Sequence, residues 1–400
     1  MSDSATTCEL SPAERKTYEA LVIEHLTFLL DRYERGPGGP FVNTKVDTRT
    51  GRDFGTAREA GTVLGGDILF GWVQARAVES LAGHLQWLAD RSACQVEGAA
   101  LLGRRCRNAL SGLIPAIQEL RARNDGRLSY MMHRDGRPLC IDAGGAPTPL
   151  ETISGDANFS DLFFAKGLIA AGQALRDEAL RAEGEVEFRR VVRAIRHGRF
   201  VSDQLPLNPR VTPSFRAGRR EHGPAMISLG GAALLLDGAS AEAWADHGAA
   251  VINGILDRHV RADDGADLQR WDFVEYVDED GNPWEEDGQV LCDPGHALEF
   301  VGLACKFLLA AEGRGGDTPA VRDVRRRCRS TLPRLFHHVF GVGFNPRGKG
   351  IYRTVDLTSR KPANSDMPWW NLPETIRAAV LLGRLQPDAE AQADHGLAVG

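Results

Sequence analysis

The stretch LCDPGHALEFVGLACKFLLAA, Leu291 to Ala311, opens on a helix start and then runs on with few polar residues. Asp293 is a good N-cap, Pro294 suits the first helical position, and His296 falls at the third. An imidazole there feels the positive end of the helix dipole, which disfavours its protonated form. A histidine kept neutral near pH 7 is what a general base requires. Glu299 follows three residues on, on the same face, placed to orient the ring or bind a substrate hydroxyl. A blander reading stands beside it, in which His296 only caps and packs.

Working outward, helical signals dominate. SPAERKTYEALVIEHLTFLLDRYE (11–34) opens with Ser11 as cap and Pro12 at the first position, and apolar residues then recur at three-to-four spacing. Similar patterns span 67–91, 96–123, 159–184, 185–199, 222–238, 240–260, 318–340 and 372–385. With the Pro294 segment they make about ten helices of ordinary globular length. Short hairpins are expected at Asp135-Gly136 in LSYMMHRDGRPLCID and at Asp280-Gly281 in WDFVEYVDEDGNPW, with a third in GFNPRGKGIYRTVD. No strand-then-helix rhythm recurs, so a parallel sheet is excluded. No short-period repeat points to a solenoid. The reading is an all-α chain of antiparallel helix pairs, one domain over 1–400.

The net charge of −6, from 48 basic and 54 acidic residues, suggests no nucleic-acid partner. The basic run RDVRRRCRS (322–330) reads as the solvated face of a helix. The N-terminal residues are polar, no secretory signal is visible, and no apolar run approaches about twenty residues, so no membrane span is expected. The seven scattered cysteines form no C-x-x-C pair, which argues against zinc and against a disulfide scaffold. Cytoplasmic localisation is the default expectation.

Two further stretches carry candidate chemistry. In GWVQARAVESLAGH, Trp72 and Arg76 lie one turn apart and offer an aromatic plane and a planar donor fork, a pairing that suits a sugar. A core tryptophan beside a surface arginine is the plainer alternative. In MPWWNLPETIRAAVLL, Trp369 and Trp370 precede a helix with Glu374 in its first turn. One indole packing inward and one lining a cleft is as open as core packing for both. His222, in REHGPAM, is a candidate for facing the cavity and binding substrate. His337 and His338 lack the spacing and acidic partners of a metal site, and His84, His197, His247 and His259 read as packing or surface residues. No nucleophile elbow, Walker loop or dinucleotide fingerprint occurs.

Taken in order, WVQAR, FSDLFFAKGLIAAG, HGPAMISLGGAALLL, DPGHALEF and WWNLPET resemble the N-acylglucosamine 2-epimerase family. The matching pieces span Trp72 to Thr375, and five weak motifs in sequence make a strong signal together. The resemblance implies an (α/α)6 barrel of antiparallel helix hairpins with short β-hairpin insertions, holding a sugar in a funnel at one end. His296 would move the C2 proton, Glu299 would be its acidic helper, and Arg76 would steady the enediolate oxygen. Trp72, Trp369 and Trp370 would wall the sugar, and Glu374 is similar to the acid behind the family's tryptophan pair. Asn371, Leu372 and Pro373 stand where Pro-Gln-Ala is commoner, which implies a differently shaped wall. The segment HGPAMISLGG is closer to the acylglucosamine branch than to the cellobiose branch. The family's second histidine lies well beyond the tryptophan pair, and here only His395 follows Glu374, too early to be that residue. A chain lacking the last helix pair is therefore expected.

The expected activity is a carbohydrate 2-epimerase or aldose–ketose isomerase, working by deprotonation and reprotonation of an open-chain aldose through an enediolate. General acid–base steps of this kind contribute about a hundred- to ten-thousand-fold, and an oxyanion contact about 3 kcal/mol. No metal or other cofactor is required. The expected partner is a small sugar, and relatives in the family often pair as homodimers. Two alternatives stay open: a glycoside hydrolase on an α/α barrel, which would need a carboxylate pair across a cleft, and a non-catalytic sugar- or protein-binding barrel.

Overall fold

Ser11 accepts a hydrogen bond from the Glu14 N–H, and the Glu14 carboxylate accepts from the Ser11 N–H, so the first helix starts on a reciprocal capping box. It is one of ten helices in a computed structural model that describes residues 11–36, 39–57, 63–93, 97–142, 146–202, 218–312 and 315–385. In chain order these are α1 (Pro12–Arg35), α2 (Gly71–Ala93), α3 (Ala99–Ala122), α4 (Phe159–Leu175), α5 (Glu178–Arg196), α6 (Gly223–Leu234), α7 (Ala241–Arg258), α8 (Pro294–Glu312), α9 (Pro319–Gly343) and α10 (Asn371–Leu385). The chain's contacts group into two units, Leu10–Gln204 and Leu205–Gly400.

In the N-terminal unit α4 is buried on every side from Phe159 to Gly172, as a helix apolar all round must be. It packs against α2 and α5, and α2 pairs in turn with α3. The pattern over 159–184 led us to expect one continuous helix, and the structure breaks it. Arg176 takes a left-handed conformation with φ 58°, and Asp177 caps α5 through the Leu180 N–H. The break folds α5 back on α4 at close range. A Cβ at Gly172 would lie 2.6 Å from the Arg181 nitrogen, and one at Gly184 would lie 2.7 Å from that of Ile169. The start of the 67–91 pattern also differs, because Ile68–Phe70 is a strand. This β1 pairs with β2 (Met131–His133), which continues through β3 (Pro138–Ile141) to β4 (Pro147–Pro149) in an antiparallel sheet. A short parallel pair, β5 (Ala157–Asn158) with β6 (Phe200–Val201), flanks α4 and α5.

In the C-terminal unit α8 is central, packed by α6, α9 and α10, with α7 against α6 and α9. It is the one described helix long and apolar enough to cross a membrane, which the run-length expectation missed. Its apolar window is 78% buried inside the protein, as befits a core helix. Antiparallel pairs lie around its N-terminus: β7 (Arg220–Glu221) with β8 (Tyr276–Val277), and β9 (Glu285–Glu286) with β10 (Gln289–Cys292). The pair β11 (Phe344–Asn345) and β12 (Gly350–Ile351) is followed by β13 (Thr354–Asp356), which joins β10 to β14 (Lys361–Asn364). The three expected hairpins are present. The turn between β9 and β10 was not anticipated, although Asp287 and Gly288, with φ 51° and 78°, form a familiar two-residue turn pair.

Asp272 anchors the loop that leads into β8. Its buried carboxylate accepts two bonds from Arg360, at 2.6 and 2.7 Å, one at 2.8 Å from His338 Nε2, and one from the Gln269 N–H. Burial pushes this carboxyl up, but His338 and Arg360 outweigh it and hold it below the usual carboxylate range. Its stabilisation is therefore present above the unfolded value of about 3.9 and lost as pH falls through the lower folded value. We expect Asp272→Asn to cost about 3 kcal/mol by urea unfolding at pH 7, since it leaves Arg360 without its anion. The difference from wild type should shrink when the melts are repeated in acid; an equal loss at pH 7 and in acid would contradict the assignment.

Candidate active site

His296 stands where the opening motif puts it, on the first turn of α8. Its N–H donates to Asp293 Oδ1 at 3.2 Å, and the Ala297 N–H donates to the Asp293 carbonyl at 3.1 Å. Asp293 is thus a cap in fact as well as in pattern. Its other oxygen accepts from Arg353 Nη1 at 2.7 Å. Burial pushes the Asp293 carboxyl up, against the pull of His296 and Arg353.

The ring of His296 turns Nδ1 toward two acids. Glu275 Oε1 lies at 2.9 Å and Asp293 Oδ2 at 3.5 Å. The expectation of a neutral ring is overturned here. Burial works against the charged imidazole, yet Asp293 and Glu275 outweigh it and its pKa is pushed up to about 9. The magnitudes decide the matter. A helix terminus contributes about 0.3–1 kcal/mol, whereas an opposite charge this close moves a pKa by about 1–3 units, each worth about 1.4 kcal/mol. The dipole loses.

With Nδ1 facing both carboxylates, that nitrogen carries the hydrogen, and Nε2 is left to exchange protons. Nε2 makes no hydrogen bond with the described residues, and the side chain keeps 21% of its surface exposed. Trp370 lies beside the ring, with centroids 5.4 Å apart and planes 32° apart, and Arg353 sits over the same indole at 5.8 Å. This approach needs Gly295. A Cβ there would come within 2.3 Å of Asn371 Oδ1 and 2.9 Å of the Trp370 ring.

Glu275 was passed over in the sequence, though it is the hub of the site. It is buried, and burial pushes its carboxyl up, but His296 and His222 outweigh this and hold it well below the usual carboxylate range. Its second oxygen lies 3.3 Å from His222 Nε2. The available signal was the run Asp272 to Glu275, acid, apolar, apolar, acid, inside an expected strand. A carboxylate buried in such a run has to be paired.

The other candidates divide. His222, expected to bind substrate, has no exposed side-chain surface, so its imidazole is closed off from solvent. Glu299 is one turn along α8, largely buried, and makes no hydrogen bond with the described residues. Trp369 is 92% exposed, so only Trp370 stands against the histidine. Glu374 is paired with Arg377 on the first turn of α10. His395 lies outside the described residues. In the N-terminal unit, Trp72 and Arg76 do share a face. The guanidinium lies 5.7 Å from the Trp72 ring and 5.0 Å from that of Phe163, and the indole is parallel to Tyr130 with centroids 6.3 Å apart. Arg76 is exposed and has no hydrogen bond or ion pair with the described residues. His259, read as a packing or surface residue, bonds the Val274 carbonyl, and His338, read as lacking acidic partners, bonds Asp272.

His222, Glu275 and His296 offer ligand atoms within 4.8 Å of one another, a spacing that would accept a metal ion. The same atoms hydrogen-bond one another across the shared carboxylate.

The sequence profile described as N-acylglucosamine 2-epimerase (GlcNAc 2-epimerase) matches residues 151–398. No curated protein matches the chain. Among solved structures, cellobiose 2-epimerase from Bacillus thermoamylovorans B4167 superposes with a TM-score of 0.61 at 10% identity, covering 96% of this chain and 85% of that one. Cellobiose 2-epimerase from Spirochaeta thermophila DSM 6192 gives 0.58 at 14%, covering 98% and 86%. A D-mannose isomerase gives 0.56 at 13%, covering 94% and 85%. At such identities the likeness is one of fold, and it places the chain in the all-α class of helix-hairpin barrels with short strand insertions. With the profile covering well over half of its length, the chain belongs to the N-acylglucosamine 2-epimerase family, and its class is that of a carbohydrate epimerase or isomerase.

Proposed function

We propose that the protein moves a proton at C2 of an open-chain aldose, with Nε2 of His296 as the transferring atom. The observation that carries this reading is the His296 ring itself: Nδ1 pinned by Glu275, one face on Trp370, and Nε2 without a partner among the described residues. In the open-chain form the C2–H bond lies next to the C1 carbonyl, so removing that proton leaves an enediolate. A histidine raised toward 9 is a stronger base than free imidazole when neutral, and it is largely imidazolium at pH 7. It therefore takes the C2 proton of one epimer, and a second acid on the opposite face of the enediolate returns a proton to C2 to give the other epimer. In the reverse direction the two groups exchange roles. Return at C1 instead gives the ketose. Arg76, whose donors are not engaged by the described residues, is proposed for the enediolate oxygen, and Trp72 for a sugar face. Glu299 and Glu374 are proposed to bind hydroxyls. The resemblance supports these last roles.

Incubation of candidate sugars in D2O should give deuterium at C2, and His296→Ala should lower that exchange by about a hundred- to ten-thousand-fold with unchanged helical circular dichroism. Exchange that survives His296→Ala removes the assignment. Hydrolysis of a glycoside with no deuterium at C2 would point instead to a hydrolase.

The raised pKa also sets a pH limit shared by the two directions. Epimerisation consumes no net proton, and His296 together with the acid on the opposite sugar face must carry one proton between them in either direction. So kcat/KM for both epimers should fall together as pH rises through about 9. A profile that stays flat through that range would contradict this. Arg76→Ala should lower kcat by about a hundred- to a thousand-fold, the usual loss for one oxyanion donor.

A further inference from the structure

We propose that His222 is a positioning residue that acts through Glu275, by holding the carboxylate oxygen that His296 does not use. The kinetic part of this proposal rests on the sugar reading above, and the titration part does not. The backbone brings the two side chains together. β7 and β8 pair Arg220 with Val277 and Glu221 with Tyr276, so the next positions along the ladder are His222 and Glu275. The Glu275 N–H donates to the Leu291 carbonyl at 2.8 Å, which ties the same residue to β10 just before α8 begins. Glu275 thus reaches His296 from one side and His222 from the other.

Burial defines what His222 can do. With no exposed side-chain surface it cannot touch a sugar, and its ring is wedged against Phe273 at 4.7 Å and His259 at 5.1 Å, both edge-on. Its Nδ1 has no partner among the described residues, so the 3.3 Å contact with Glu275 Oε2 is the polar link that its side chain makes there. A carboxylate held by one oxygen alone can rotate about its last bond, because that torsion has only shallow preferences. Held by both oxygens it cannot turn, and the His296 ring keeps one orientation. His259 is kept from competing: burial and then the neighbouring His222 push its pKa down to about 3, and its Nδ1 is taken by the Val274 carbonyl.

The groups facing this pair are few. Glu275 is faced by His222 and His296, His296 also by Asp293 and Arg353, and His222 also by His259. Removing the His222 bond should let Glu275 turn away and leave Asp293 as the nearest anion to His296. The His296 pKa should then fall.

The test uses the full chain with 15N-labelled histidine, comparing wild type, His222→Phe and His222→Gln. His222→Phe should lower the NMR titration midpoint of His296. It should also reduce kcat about tenfold or more, with KM within about twofold. His222→Gln, whose amide can still donate to Glu275, should recover most of both. A wild-type midpoint and kcat in His222→Phe would overturn the proposal, as would equal impairment of the Phe and Gln variants. Should His222→Phe not fold, Glu275→Gln and the double variant Glu275→Gln/His222→Gln replace it. The proposal then requires the same midpoint in both, and a further fall in the double variant overturns it. If wild type turns over no sugar, the sugar reading fails alone and the NMR titration still decides the His222–Glu275–His296 link.

Discussion

A single buried carboxylate between two imidazoles governs the candidate site. Taking a carboxylate out of water costs several kcal/mol unless its oxygens are bound, and Glu275 answers that cost with His296 on one oxygen and His222 on the other. The nitrogen that His296 presents and the angle of its ring follow from that arrangement, and its charge state from Asp293 and Glu275 together. The helix dipole, which acts in the opposite sense, is a smaller quantity and yields.

The supporting structure can be understood as what it takes to keep that carboxylate in place. Asp272 fastens the loop before β8 through Arg360 and His338. The ladder of β7 on β8 delivers His222, and β10 delivers Asp293 and the start of α8. Each of these segments is short, and none would be stable alone. Behind them α9 packs on β13 and α10 on β12, and both helices pack in turn on α8, which is buried along nearly its whole length.

Much of this was legible in the sequence, for reasons that differ by element. The ten helices announce themselves through apolar spacing and caps, and Asp293-Pro294 sets His296 on the first turn without ambiguity. The motifs also carried the family. The break at Arg176 was harder to see: Asp177 is a local cap signal, but the close approach of the two helices at Gly172 and Gly184 is a tertiary contact that no local preference encodes. Glu275 and His222 lie 53 residues apart, and neither has a spacing relation to His296. Their meeting is a property of strand pairing. The protonation of His296 was misjudged because the cap itself, Asp293, acts on the ring as a charge more than the helix dipole does, and Glu275 adds to it from a distant segment.

Gly295 bears on how the site can vary. Because no side chain fits between the first turn of α8 and the Trp370-Asn371 corner, the distance from indole to imidazole is set by main chain against ring. Position 295 therefore has no room to drift. A lineage adapting to bulkier or slimmer molecules would have to shift the corner itself, by changing how α10 leans on α8, and the histidine would stay where it is.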